Sequence, residues 1–188
     1  MYHVANAETG GKRMHPCHQV DSAPTSPVQP WLFQVQPYPE ESFGHFLGRF
    51  RRANHLSSAH LSAMLKQRPY AVSYWETPSR RRQPDTPTLQ HLSQLTGVTV
   101  KRLNSMRSPS GTQLHKPTRL CADCYTEVPY HKLTWQVATQ PRCKIHHQRL
   151  LGACPRCSSA FCLPSYWQIG KCDHCHLPFQ EMRAYREL

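Results

Sequence analysis

The chain has 188 residues, is 38% apolar and carries 23 Lys and Arg against 11 Asp and Glu, giving a net charge of +12 and too little apolar material for one large core. No apolar run approaches the roughly 18–20 residues of a membrane span, the first thirty residues hold no secretory h-region, and no GxxxxGKS/T phosphate loop occurs. The carboxylates do not cluster, which argues against two-metal nuclease or transposase chemistry.

Charge and cysteine divide the chain. Residues 1–42 are net −2, residues 43–120 net +11 and residues 121–188 net +3, while eight of nine Cys fall in the last segment. Residues 1–30 are rich in Pro, Ser, Thr, Gln and Asn, lack an apolar period and read as a disordered arm. Cys17, between His15 and His18, reads as a free thiol there, with a metal contact as the alternative. Trp31-Leu32-Phe33 then forms an apolar cluster that needs a cover: either the chain's own domain or a partner, for which Trp31 and Phe33 are the candidate anchors.

Residues 31–106 are expected to be a basic, mainly α domain. Phe43, Phe46, Leu47 and Phe50 share one helical face behind Ser42 as N-cap, with Arg49, Arg51 and Arg52 on the other faces. Ser57 or Ser58 caps a second helix with Leu61, Met64 and Leu65, and Pro69 suits the start of a short third one through Trp75. Thr77 to Pro87, with Arg80, Arg81 and Arg82, reads as an exposed basic loop. A helix-turn-helix pattern follows. Thr86 caps a helix carrying Leu89, Leu92 and Leu95, Gly97 ends it, and Thr99 caps a second helix that buries Val100, Leu103 and Met106. Lys101, Arg102, Asn104 and Arg107 then face outward as candidate contacts to phosphates and base edges. The alternative is a helical bundle whose basic surface meets RNA, non-specific DNA or protein.

Residues 107–119 read as a linker, and residues 120–188 as a small zinc-ribbon-type C-terminal domain with two structural zinc sites. Cys121-x2-Cys124 with Cys143-x2-His146 supplies one four-ligand set, and Cys154-x2-Cys157 with Cys172-x2-Cys175 the other. His147 competes with His146, but the x2 spacing favours His146. The second set repeats internally, since Phe161 and Phe179 each follow a knuckle after three intervening residues. Two filled tetrahedral shells leave no open metal position, so the sites are expected to be structural and the protein not an enzyme. They replace a core so short a segment cannot otherwise build, at about 10–16 kcal/mol per zinc ion. Tyr130, Leu133, Trp135 and Val137 suggest a ribbon strand between the first knuckles.

These motifs resemble the TniQ family of transposition proteins. Leu32 with Pro37, and Glu41-Ser42 leading into Phe46-Leu47 and Arg49, resemble the family's opening; Cys121, Cys124, Trp135, Cys143, His146, Leu150, Cys154 and Cys157 resemble its zinc-binding half. The run Phe46 to Leu56 is most similar to the small members of type V-K CRISPR-associated transposons. The resemblance implies a cytoplasmic prokaryotic adapter. Such a protein helps link a target selector, an RNA-guided CRISPR effector with its guide and tracr RNA, to the AAA+ regulator TnsC at target DNA, with no membrane or small-molecule substrate involved. A DNA-binding transcriptional or target-site regulator, built from the helix-turn-helix and zinc ribbons, is the alternative.

Overall fold

Four large apolar residues on one stripe give the first helix its buried face. Phe43, Phe46, Leu47 and Phe50 are all buried along α1 (Phe43–Ala53), and the Ser42 hydroxyl accepts from the His45 backbone N–H at 3.4 Å. The computed structural model describes residues 33–80 and 82–185. The expected disordered arm over residues 1–30, Trp31 and Arg81 lie outside the described residues.

Among the described residues five more α-helices follow: α2 (Ser58–Met64), α3 (Ala71–Glu76), α4 (Thr86–Thr96), α5 (Val100–Ser105) and α6 (Ala122–Glu127). Ser57 is the N-cap of α2. The N-cap of α4 is Asp85 rather than Thr86, its carboxylate accepting from the Thr88 N–H at 2.9 Å; Thr86 is the first helical residue and Pro87 follows it. Gly97 ends α4 at φ 71°, a left-handed turn that costs Gly little. Thr99 caps α5 as expected. Leu89, Leu92 and Leu95 of α4 join Val98, Leu103 and Met106 in the same core as α1, which also holds Leu61, Leu65, Val72 and Trp75.

Residues 120–185 form a second core with little regular structure. Among the described residues there is no sheet, only isolated antiparallel bridges. Three of them, Arg142 with Arg149, Ala153 with Ala160 and Lys171 with Pro178, flank the last three ligand pairs as minimal ribbons. The strand expected across Tyr130 to Val137 does not form; Leu133–Gln136 is a 3₁₀ turn, with Val137 bridged to Leu114 and Lys132 to Glu41. Those bridges go to two separate segments, so no single neighbour pairs along the whole stretch. Residues 113–119, expected as linker, are tied down: Ala138 N–H donates to Gln113 O at 2.8 Å, and buried Arg119 donates to the carbonyls of Trp135 and Val137. Trp167, Phe161, Phe179 and Tyr125 meet edge-to-face within this core. The repeated Phe161 and Phe179 pack on each other at 5.4 Å between ring centres, so the sequence repeat becomes one core contact.

The two cores are joined at α1. Ser42 N–H donates to His131 O at 2.9 Å, Leu133 N–H donates to Glu40 O at 2.9 Å, and the His131 ring meets the Ser42 hydroxyl at 2.9 Å. On the far side, a Cβ added to Gly48 would lie 2.5 Å from Ser165 Cα, in the 3₁₀ turn Pro164–Tyr166. Only Gly allows backbones to approach that closely.

Candidate metal centres and basic surface

The last three ligand pairs share one local geometry. In each, the N–H of the residue after the second ligand bonds back to the first Cys carbonyl: His147 to Cys143 at 2.9 Å, Ser158 to Cys154 at 2.8 Å and His176 to Cys172 at 3.0 Å. Those three residues all have positive φ, 55°, 58° and 59°. A left-handed residue there closes the turn and lets two side chains three apart converge. It also decides between the adjacent histidines, since His147 occupies the turning position and is exposed while His146 points to the cysteines. The Cys121–Cys124 pair is built differently, on the start of α6.

Eight side chains meet in two sets of four, Cys121, Cys124, Cys143 and His146, and Cys154, Cys157, Cys172 and Cys175, each with its ligand atoms within 4.8 Å of one another. In the first set Cys124 Sγ lies 3.5 Å from Cys143 Sγ and 3.3 Å from His146 Nδ1; in the second, Cys154 and Cys175 are 3.5 Å apart and Cys157 and Cys172 3.6 Å. A disulfide requires about 2.05 Å between sulfurs, and these cysteines are unpaired. Ligands about 2.3 Å from one tetrahedral ion would place sulfurs about 3.8 Å apart, close to what is seen. The donor set and its spacing therefore fit a four-coordinate metal ion at each site.

The thiols differ in their ease of ionisation. Burial pushes Cys121 up to about 11 and Cys154 up to about 12. Burial also raises Cys143, but N–H donors from His146 and Ile145 outweigh it and bring the thiol to about 7. The Ser159 side chain and backbone draw Cys157 down to about 5. Each site thus pairs a readily ionised thiol with a reluctant one, and a metal must displace protons from the latter. One supporting residue was not anticipated from sequence: His146 turns Nδ1 toward the cysteines while its Nε2 meets Glu127 Oε1 at 2.9 Å. A carboxylate behind a ligating imidazole fixes its tautomer and orientation. The faint signal was helical register, since Glu127 lies one turn after Cys124 on α6. Cys162 joins neither set and packs at the edge of the second core.

Of the arginines expected on the other faces of α1, Arg51 does not face outward. Arg51 is turned inward, its guanidinium paired twice with buried Glu76 at 2.5 and 2.9 Å. Arg49 donates to both Glu41 oxygens at 2.9 Å and lies 4.1 Å over the Tyr38 ring. Arg52 donates to Ser165 O across the joint between the cores. These three side chains hold the fold together; Arg51 in particular has no face left for a phosphate. Arg102 donates to Tyr38 O, and Arg107 to Pro84 O and the Asn104 side chain. Arg80, Arg82 and Lys101 are exposed, as is Asn104. Phe33 is 53% exposed, while its backbone exchanges hydrogen bonds with the Asn54 side chain in both directions.

Among the described residues no helix is long and apolar enough to cross a membrane. No curated protein matches the chain. A family model described as TniQ matches residues 32–150, a span that takes in the whole helical core and the first ligand set and stops short of the second.

Proposed function

The chain belongs to the TniQ family of transposition-associated proteins, and from that premise we propose that it is a non-enzymatic adapter. It links a target selector, an RNA-guided CRISPR effector with its guide and tracr RNA, to the AAA+ regulator TnsC in the prokaryotic cytoplasm, so that the transposase is recruited to target DNA. The observation that carries this reading is the family match across both the helical core and the first metal-ligand set. The metal at both sites is zinc. Three thiolates with one imidazole, and four thiolates, are soft donor sets suited to tetrahedral zinc rather than to magnesium or calcium. The ion supplies a cross-link in place of apolar core, and all four donors of each shell come from the chain.

Within this reading Trp31 and Phe33 anchor the ATPase, while Arg80, Arg81, Arg82 and Lys101 supply the nucleic-acid surface. A second reading rests on the turn at Gly97: α4 and α5 form a helix-turn-helix whose α5 presents Lys101 and Asn104 to one defined duplex, making the protein a DNA-binding regulator. Co-purification with TnsC, with and without ATP and DNA, separates the two. Nucleotide-dependent retention of TnsC is the expected result. Tight binding of the protein alone to a single duplex, with no retention of TnsC, would overturn the adapter assignment.

A further inference from the structure

α3 buries Val72, Trp75 and Glu76 and turns the opposite face outward. Tyr70 and Tyr74, one helical turn apart, are 72% and 42% exposed there. They line a groove of about 400 Å³ whose other wall is the loop before α4, with Arg68, Arg82 and Pro84 at its edges. Arg80 holds its guanidinium carbon 5.6 Å from the centre of the Tyr74 ring. The acid in the groove, Asp85, is engaged as the N-cap of α4, where its carboxylate accepts from the Thr88 N–H. Single exposed aromatics are ordinary on a protein surface. Two at helical spacing, in a concave site rimmed by guanidinium groups, are a specific combination: flat π-faces for a planar ring and fixed positive charge for an attached anion.

We propose that this groove binds single-stranded nucleic acid, an unpaired base stacking on Tyr70 and Tyr74 while the adjoining phosphates meet Arg68 and Arg82. The proposal rests on the reading that the basic half meets nucleic acid, and it adds the place and the strandedness. A duplex keeps its base faces stacked inside the helix and can offer only phosphates to the rim. An unpaired strand offers both, and base–aromatic stacking tolerates any sequence because every base has a π-face. Proline-rich peptides also dock in aromatic grooves, but they carry no charge that the three guanidinium groups would complement.

The test uses the full-length, metal-loaded chain with a short fluorescein-labelled oligouridylate and a blunt duplex of the same length, at one salt concentration. Tyr70→Ala with Tyr74→Ala should weaken the single strand by about tenfold or more and leave the duplex unchanged. Tyr70→Phe with Tyr74→Phe, which keeps both rings, should retain single-strand binding. Thermal melting checks the fold; if Tyr74→Ala lowers the melting temperature, the more exposed Tyr70→Ala alone carries the comparison. Equal losses on both ligands, or no loss on the single strand, would overturn the proposal. So would a proline-rich peptide that binds wild type and is lost in the Ala variants while the oligouridylate is unaffected. Wild type binding the duplex but not the single strand would overturn the stacking site alone; wild type binding neither would overturn the nucleic-acid reading with it.

Discussion

Glu127 and Glu76 do comparable work at the level of single residues: each fixes the orientation of a side chain on which a larger assembly depends. Removing the Glu127 carboxylate leaves His146 Nε2 facing water and free to change tautomer or swing. Glu127→Ala should therefore weaken metal binding at the first site by about 10–100-fold and leave the second unchanged, which competition against a chromophoric chelator would read as two separated release steps. Glu76 is 1% exposed and holds both arms of Arg51. Glu76→Ala leaves a buried guanidinium without its counter-charge, a loss on the order of 3–5 kcal/mol, measurable as a shift in the urea midpoint. The candidate metal ligands were legible in the sequence because each pair is local, with only two residues between its members. Arg51 was not, because its partner lies 25 residues away and an Arg on the flank of an amphipathic period ordinarily faces water.

Among the elements, α1 is the one on which most contacts converge, and its glycines matter as much as its phenylalanines. A methyl at position 48 would collide with the Ser165 backbone, which cannot swing aside as a flexible side chain would. Gly48→Ala should cost about 1–3 kcal/mol as overpacking and raise amide exchange in both α1 and the 164–166 turn, whereas a defect confined to α1 would leave the turn protected. The helices were legible because their apolar periods and caps lie within a few residues: Ser42, Gly97 and Thr99 all serve as the pattern implied. Asp85 took the place of Thr86 because two adjacent residues can both cap and only the backbone angle distinguishes them. The segment from Tyr130 to Val137 misled because its aromatics alternate for a different reason. Tyr130 stacks on Tyr38 of the helical half at 4.8 Å, while Trp135 is buried in the second core.

Across the whole molecule, the buried joint predicts an acid limb of stability. His131 is fully buried, packed edge-on against Trp135 and Trp167, and its Nε2 has no hydrogen-bond partner among the described residues. Burial, with the positive charges of His45 and Arg119 nearby, holds its pKa well below the ordinary value. The unfolded chain therefore takes up this proton at a higher pH than the folded one, and stability falls as pH drops below about 6.5. His45, also buried, adds in the same direction. Burial raises Glu41, but hydrogen bonds from His45 and Arg49 outweigh it, so its contribution fades only at still lower pH. His131→Gln should flatten the upper part of this limb in melting curves, while metal release, followed separately with a chelating dye, keeps its own pH dependence. The partner surface makes a contrasting forecast. Because Asn54 holds Phe33 by its backbone and leaves the ring exposed, Phe33→Ala should weaken TnsC retention by about tenfold, within the range of interface hot spots, without lowering the melting temperature.

The contact of Gly48 with Ser165 has a mechanical side. Side-chain interfaces can slide by changing rotamers, but a joint made of backbone against backbone, and locked on its other flank by the hydrogen bonds between residues 40–42 and 131–133, has no such slack. The helical and cysteine-rich halves therefore meet as the two arms of a bracket, whose angle is set by main chain rather than by side-chain packing.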